Sequence, residues 1–256
     1  MKKVIFIAFA LGLALACSVA QAGWFDDFES YADTPALSGP YTQLYPAKPF
    51  MLDTTKGYMS SQSIQSGIHA NYENRMYINL PGGPIEGSDA APIMVEFMVD
   101  TTVNNWYTRE YIELRSYSGG AYGVGDLREL LALGFTSSGV DTTRINQRIM
   151  NGPSAGWGNL TANYADRASV AANDWTKLGM LIKSNAIEYY VNDNLDTTKS
   201  INPGVQFDSL VIGSGLSTNV VVWFDDVKVG VVPEPSSLLV LGTGLMGMVG
   251  LLRRRR

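Results

Sequence analysis

The chain has 256 residues, 46% hydrophobic and 17% charged, with 26 Gly, 13 Tyr, 5 Trp and a formal net charge of −5. Its single Cys and single His exclude a disulfide framework, a Cys/His zinc cluster and a His-based triad with a base to spare. Low charge with abundant Tyr and Gly fits an all-β protein working at a surface, and the length allows one large domain with a real core.

Lys2 and Lys3 give a basic start, residues 4–16 an apolar run, and Ala20, Gln21 and Ala22 a small-residue cleavage site. Residues 1–22 therefore read as a secretory signal peptide cut after Ala22 by signal peptidase. The run is too short for a membrane helix. Residues 14–17 loosely resemble a lipobox ending in Cys17, but Ala14 stands where that motif has Leu. Cleavage after Ala22 leaves the mature chain without cysteine.

Residues 23–232 form one expected domain. Its 13 basic and 23 acidic residues give a net −10, which disfavours nucleic acid and anionic membrane surfaces and suits neutral glycans or divalent cations. Taken in order, Asp26, Asp27 and Glu29 fall on a first strand. Residues 93–99 alternate, with Ile93, Val95, Phe97 and Val99 on one face. Residues 107–117, 130–135 and 144–150 are further strands, the last closed by Asn151, Gly152 and Pro153. Only residues 125–133 also fit a helical pattern. Residues 175–183 and 186–191 form a hairpin about Ser184 and Asn185, ending at residues 192–194, and residues 205–212 and 220–229 complete the set. Strands at this spacing with Gly/Asn turns predict a two-sheet antiparallel β-sandwich, a jelly roll. The Gly-rich stretch at residues 119–125 lacks the Lys and the strand-to-helix setting of a phosphate loop.

The segments WTKLGMLI (175–182) and IEYYVND (187–193), framed by FDDFE (25–29) and WFDDVKV (223–229), resemble concanavalin-A/laminin-G-like jelly rolls over most of residues 24–230. That fold hosts lectins, glycosidases, lyases and adhesion modules alike. If first and last strands are neighbours, Asp26, Asp27, Glu29, Asp225 and Asp226 gather, and their repulsion calls for a cation or solvent. Related carbohydrate-binding jelly rolls carry a structural calcium on a first-strand Glu and a last-strand Asp, so the resemblance implies Ca2+ at Glu29 and Asp226. The plainer reading has these carboxylates facing water on edge strands.

Trp106, Tyr107, Tyr111, Tyr117 and Tyr122 cluster in sequence, and Trp157 stands in a Gly-rich loop. Exposed flat rings stack on sugars, so Trp106 and Trp157 are the candidate glycan-binding residues, whereas Trp24, Trp175 and Trp223 sit on strand patterns and belong to the core. Catalysis lacks its parts. The Glu-x-Asp-x-Glu strand of laminarinase-type jelly rolls is missing, and Glu110 and Glu113, three apart, point to opposite faces of a strand. Arg109, Glu110, Glu113 and Arg115 faintly resemble the Arg/Glu strand of alginate-lyase jelly rolls, yet His69 has no Gln two residues before it. The reading is a non-enzymatic, exopolysaccharide-associated module. The alternatives are a glycosidase or lyase of the same fold, or a self-associating structural matrix protein.

After residue 232 come Pro233, Glu234 and Pro235, then an uncharged, Gly-bearing apolar run at 238–252 and four arginines at 253–256. As a helix the run measures about 22 Å, marginal for a bilayer, with the arginines kept cytoplasmic. This trio closely resembles the PEP-CTERM sorting signal. The resemblance implies recognition by an exosortase in the inner membrane of a Gram-negative bacterium, a membrane-anchored intermediate, and delivery to the cell surface or extracellular matrix.

Overall fold

Ile93, Val95, Phe97 and Val99 alternate in the sequence and all four are buried, because their strand lies in the middle of a sheet with one face on the core. The computed structural model describes residues 23–68, 74–101, 109–136, 144–160, 174–214 and 220–232. In chain order the strands are β1 (Trp24–Asp26), β2 (Thr42–Gln43), β3 (Met51–Asp53), β4 (Ser63–Gln65), β5 (Asn74–Asn79), β6 (Ile85–Glu86), β7 (Ile93–Thr101), β8 (Glu110–Tyr117) and β9 (Leu127–Phe135). They continue with β10 (Asn146–Ile149), β11 (Gly156–Asn159), β12 (Thr176–Ile182), β13 (Ala186–Val191), β14 (Asn194–Ser200), β15 (Gln206–Phe207), β16 (Ser209–Ser214) and β17 (Val222–Val231). One 3-10 turn, Thr34–Ser38, is capped by the Asp33 carboxylate.

The strands make two antiparallel sheets in a sandwich. An eight-stranded sheet runs β14-β13-β12-β7-β17-β4-β3 with β1 on β17, and a seven-stranded sheet runs β11-β10-β9-β8-β16-β5-β2. Between them Phe97, Met180, Tyr189 and Phe224 from one sheet share a core with Met76, Ile112, Leu131 and Ile212 from the other. Each such side chain contributes about 1.5–3 kcal/mol of burial.

The expected β12–β13 hairpin is present, closed by Lys183 N–H on the Ala186 carbonyl at 2.8 Å. It ends at Val191, just before residues 192–194, as expected, but a third strand follows that the sequence did not show. Asn192 and Asp193 both adopt left-handed backbone (φ 49° and 64°), the two-residue geometry that matches strand twist, and the chain returns as edge strand β14. Of residues 125–133, those from Leu127 onward are strand rather than helix: β9 pairs with β8 along its length and with β10 at Leu131–Gly134. Leu130 and Ala132 are buried on its outer side while Leu131 and Leu133 enter the core. Burial on both faces erases the alternation that would have identified a strand.

Candidate functional site

Strand alternation sorts β8 into two sets. Ile112 and Leu114 enter the core, leaving Tyr111, Glu113 and Arg115 on the outer face of the seven-stranded sheet. Registers extend this face into a row across six strands: Tyr77 (β5), Val211 (β16), Glu113 (β8), Ala132 (β9), Arg148 (β10) and Trp157 (β11).

Two aromatic groups flank the centre of that row. On one side Tyr122, carried by the loop after β8, folds back and stacks on Tyr77 with ring centroids 4.0 Å apart and 18° between planes. It also meets Tyr117 at 5.3 Å, and its N–H donates to Asn79 Oδ1 at 2.9 Å. The Arg115 guanidinium lies 5.4 Å from the Tyr122 ring centre and donates from Nη1 to the Tyr117 hydroxyl at 3.1 Å. On the other side Trp157 meets Tyr111 edge-on at 5.6 Å, and Arg148 lies over the Trp157 ring at 5.4 Å. Between the groups Arg115 grips Glu113 Oε2 through Nε at 2.6 Å and Nη2 at 2.5 Å. Burial works against the Arg115 charge, but Glu113 together with Tyr117 and Tyr122 outweighs it and holds the pKa above the ordinary arginine value. Both members are nearly buried, so removing either strands a charge in a low-dielectric setting.

A polar cleft of about 610 Å³ opens beside Tyr117, lined also by Arg128, Glu129, Asn151, Gln206 and Asp208. Glu129 Oε1 accepts the N–H groups of Leu130, Met150 and Asn151 at 2.9–3.0 Å. Burial raises its pKa despite these bonds. Asp208 Oδ2 accepts Tyr117 N–H at 2.6 Å, tying the cleft wall to the aromatic face.

Of the residues singled out by sequence, Tyr111, Tyr117, Tyr122 and Trp157 meet on this one face. Trp157 is not on a loop: it occupies the edge strand β11, half-buried, because the chain around it pairs with β10 and lays the ring on the sheet. Trp106, Tyr107, His69, Ala22 and the motif Pro233, Glu234 and Pro235 lie outside the described residues. Trp223 is buried as expected, at 8% exposure, but outside the core cluster of Val222 and Phe224, with Lys56 3.7 Å over its ring and Nε1 donating to Asp53; Trp24 and Trp175 are half-buried. Sequence reasoning missed Tyr77 and Arg148, although the alternation Arg75, Tyr77, Asn79 in β5 was a usable signal.

The first and last strands do lie side by side, Asp26 opposite Val227. Their carboxylates nonetheless go to separate donors. Asp26 accepts from Phe28 N–H and the Tyr31 and Tyr41 hydroxyls. Asp225 accepts from Tyr58 N–H, Ser60 Oγ and Asp226 N–H. Glu29 accepts from Ser61 N–H and Oγ and from Gln62 N–H at 2.7–3.0 Å. Among the described residues no group of three or more His, Cys, Asp or Glu side chains is arranged to hold a metal ion. Three hydrogen bonds thus meet the Glu29 charge.

Residues 231–256 match the model of the PEP-CTERM protein-sorting motif. The chain carries a PEP-CTERM sorting motif. Among the described residues no helix is long and apolar enough to cross a membrane, and the apolar run at 238–252 lies outside them. No curated protein matches the sequence. Among solved structures the chain is similar to the globular domain of T. cruzi calreticulin, at 11% identity and TM-score 0.57 over 91% of this chain and 99% of that one. It is similar also to a Bacillus subtilis protein of galectin-like fold, at 10% identity and TM-score 0.51 over 84% and 99%. A sialidase matches at 11% identity and TM-score 0.52 over 84% of this chain, which spans only 19% of that one. Identities this low speak for the fold alone, a galectin- and concanavalin-like jelly roll.

Chemically, the outer face offers flat rings on both sides of a fixed ion pair, with hydroxyl, amide and guanidinium groups at its margins. Glu110 belongs to the opposite set of β8 from Glu113, so the two carboxylates do not face each other across one cleft.

Proposed function

We propose that this is an exosortase-sorted protein of the cell surface or extracellular matrix whose sandwich is a non-catalytic module binding exopolysaccharide on the outer face of its seven-stranded sheet. The sorting motif supports the destination. One observation carries the binding reading: five aromatic side chains, Tyr77, Tyr111, Tyr117, Tyr122 and Trp157, converge on one sheet face with arginines set against their rings. Sugar rings present apolar C–H faces that stack on such rings, while hydroxyls take the neighbouring polar groups. Against turnover, a glycosidase needs two carboxyl groups about 5–9.5 Å apart across the substrate, and here Glu113 is bound to Arg115 while Glu110 belongs to the other face.

The test is affinity electrophoresis of the purified full chain in gels carrying exopolysaccharide from the producing cells, with reducing ends assayed alongside. Wild type should be retarded without releasing sugar. Trp157→Ala and Tyr122→Ala should each weaken retardation about tenfold, the equivalent of ~1.4 kcal/mol. A folded protein that migrates freely, or one that cleaves the polymer, overturns the reading.

A further inference from the structure

The two sheets differ in the kind of cation they carry. Every arginine among the described residues, Arg75, Arg109, Arg115, Arg128, Arg144 and Arg148, lies on a strand of the seven-stranded sheet or within two residues of one. No described lysine lies on those strands, while Lys177, Lys199 and Lys228 all lie on the eight-stranded sheet. The carboxylates divide the other way. Strands of the eight-stranded sheet hold eight Asp or Glu against three Lys, a net −5, and strands of the seven-stranded sheet hold four Arg against three Glu, a net +1. A domain of net −10 therefore keeps one sheet free of its excess acid, and it is the sheet with the aromatic face.

Arginine is suited to this place for a reason lysine does not share. Its planar fork pairs with a carboxylate or sulfate through two parallel N–H bonds and stacks flat on aromatic rings, whereas the lysine ammonium is a strongly hydrated point charge. Arg115 brings Nε and Nη2 together on one oxygen of Glu113, and the Arg148 guanidinium lies over the Trp157 ring at 5.4 Å. Glu113 is the one acidic residue on the outer set of β8, and Arg115 neutralises it. Arg148, half-buried on the Trp157 ring, and Arg128, exposed at the mouth of the cleft beside Tyr117, put positive charge on the adjacent strands β10 and β9.

We propose that the ligand of this face is an anionic polysaccharide, its rings on the tyrosines and Trp157 and its carboxylate or sulfate groups on Arg128 and Arg148. This rests on the glycan-binding reading above and adds the charge of the ligand. The test is titration of the purified full chain with polygalacturonate, the same polymer after its carboxyl groups are reduced to alcohols, dextran sulfate, and inorganic polyphosphate.

Binding to polygalacturonate or dextran sulfate, at least tenfold weaker to the carboxyl-reduced polymer, is the expected result, and the preferred one of the two names the anionic group. Affinity should fall by about tenfold or more between 0.05 and 0.5 M salt as the charges are screened. Arg148→Gln and Arg128→Gln should each cost about tenfold, and Lys228→Gln, exposed on the other sheet, should cost nothing. Equal, salt-insensitive binding of the reduced polymer would overturn the anionic ligand and leave the glycan reading standing. Polyphosphate binding as tight as polygalacturonate would show a polyanion surface and overturn the proposal, and failure of every polymer with folded protein would overturn both readings.

Discussion

Asp225 is wholly buried on β17, with three donors aimed at it. Burial outweighs those bonds and pushes its pKa from an ordinary 3.8 up to about 6. A carboxyl group whose pKa is raised by folding stabilises the fold when protonated, and that contribution is lost as pH rises through the folded value. Between about pH 4 and pH 6 this residue therefore makes the protein less stable as pH increases. Glu29, Asp53 and Glu188 are shifted down and act with the opposite sign, so the total curve mixes the two. The difference between wild type and Asp225→Asn isolates the single site. Melting temperatures from pH 4 to pH 7 should show the Asn variant gaining on wild type by several degrees as pH rises, at about 2–4 °C per kcal/mol. Parallel curves would mean that Asp225 titrates normally.

At the β1–β17 corner each of the carboxylates Asp26, Glu29 and Asp225 has hydrogen-bond donors of its own. Burial tends to raise Glu29, but the bonds from Ser61 and Gln62 prevail and hold it below the ordinary glutamate range, as expected of an anion solvated by N–H and O–H groups. Millimolar EDTA should accordingly leave the melting temperature unchanged, and added calcium should not raise it. A calcium-dependent rise of several degrees would place an ion at Glu29 and Asp226 after all.

Elements that alternate were legible in the sequence, and elements that do not were not. β13 shows period-two burial throughout and β7 over Ile93–Phe97, because one face is core and the other is only partly covered. β14 is a polar edge strand, exposed at most positions, and only its partner gives it away. The aromatic face was half legible. Tyr111, Tyr117, Tyr122 and Trp157 stood out by type, but the stacking of Tyr122 on Tyr77, forty-five positions apart in the chain, depends on the β8–β16–β5 register, which composition does not encode. Gly213 holds that register. Its backbone is at φ 111°, and a Cβ there would sit 2.1 Å from the Asn74 carbonyl oxygen and 2.7 Å from Phe50 Cε2. Neither neighbour is the end of a flexible chain, so Gly213→Ala must push β16 from β5 and displace Arg75 and Tyr77. We expect a loss of about 3 kcal/mol in denaturant titration, and a loss below about 1 kcal/mol would show that the two strands adjust freely.

For the molecule as a whole, folding and sorting occupy different stretches of chain. β17 lies in the interior of the eight-stranded sheet and ends at Val231, and Val232 N–H still bonds the Pro92 carbonyl at 2.9 Å. The matched sorting motif begins at residue 231 and continues to residue 256. Deleting residues 233–256 removes none of the described strand pairings, so the shortened protein should melt within about 1 °C of the full chain and bind the same polymer with the same affinity. What should change is its fate: with no motif for an exosortase to recognise, it should appear in the medium or keep an unprocessed size instead of reaching the cell surface. Fractionation and immunoblotting of producing cells read this directly. Unchanged location and size would remove residues 233–256 from sorting, whereas a lowered melting temperature would show that the tail also supports the sandwich.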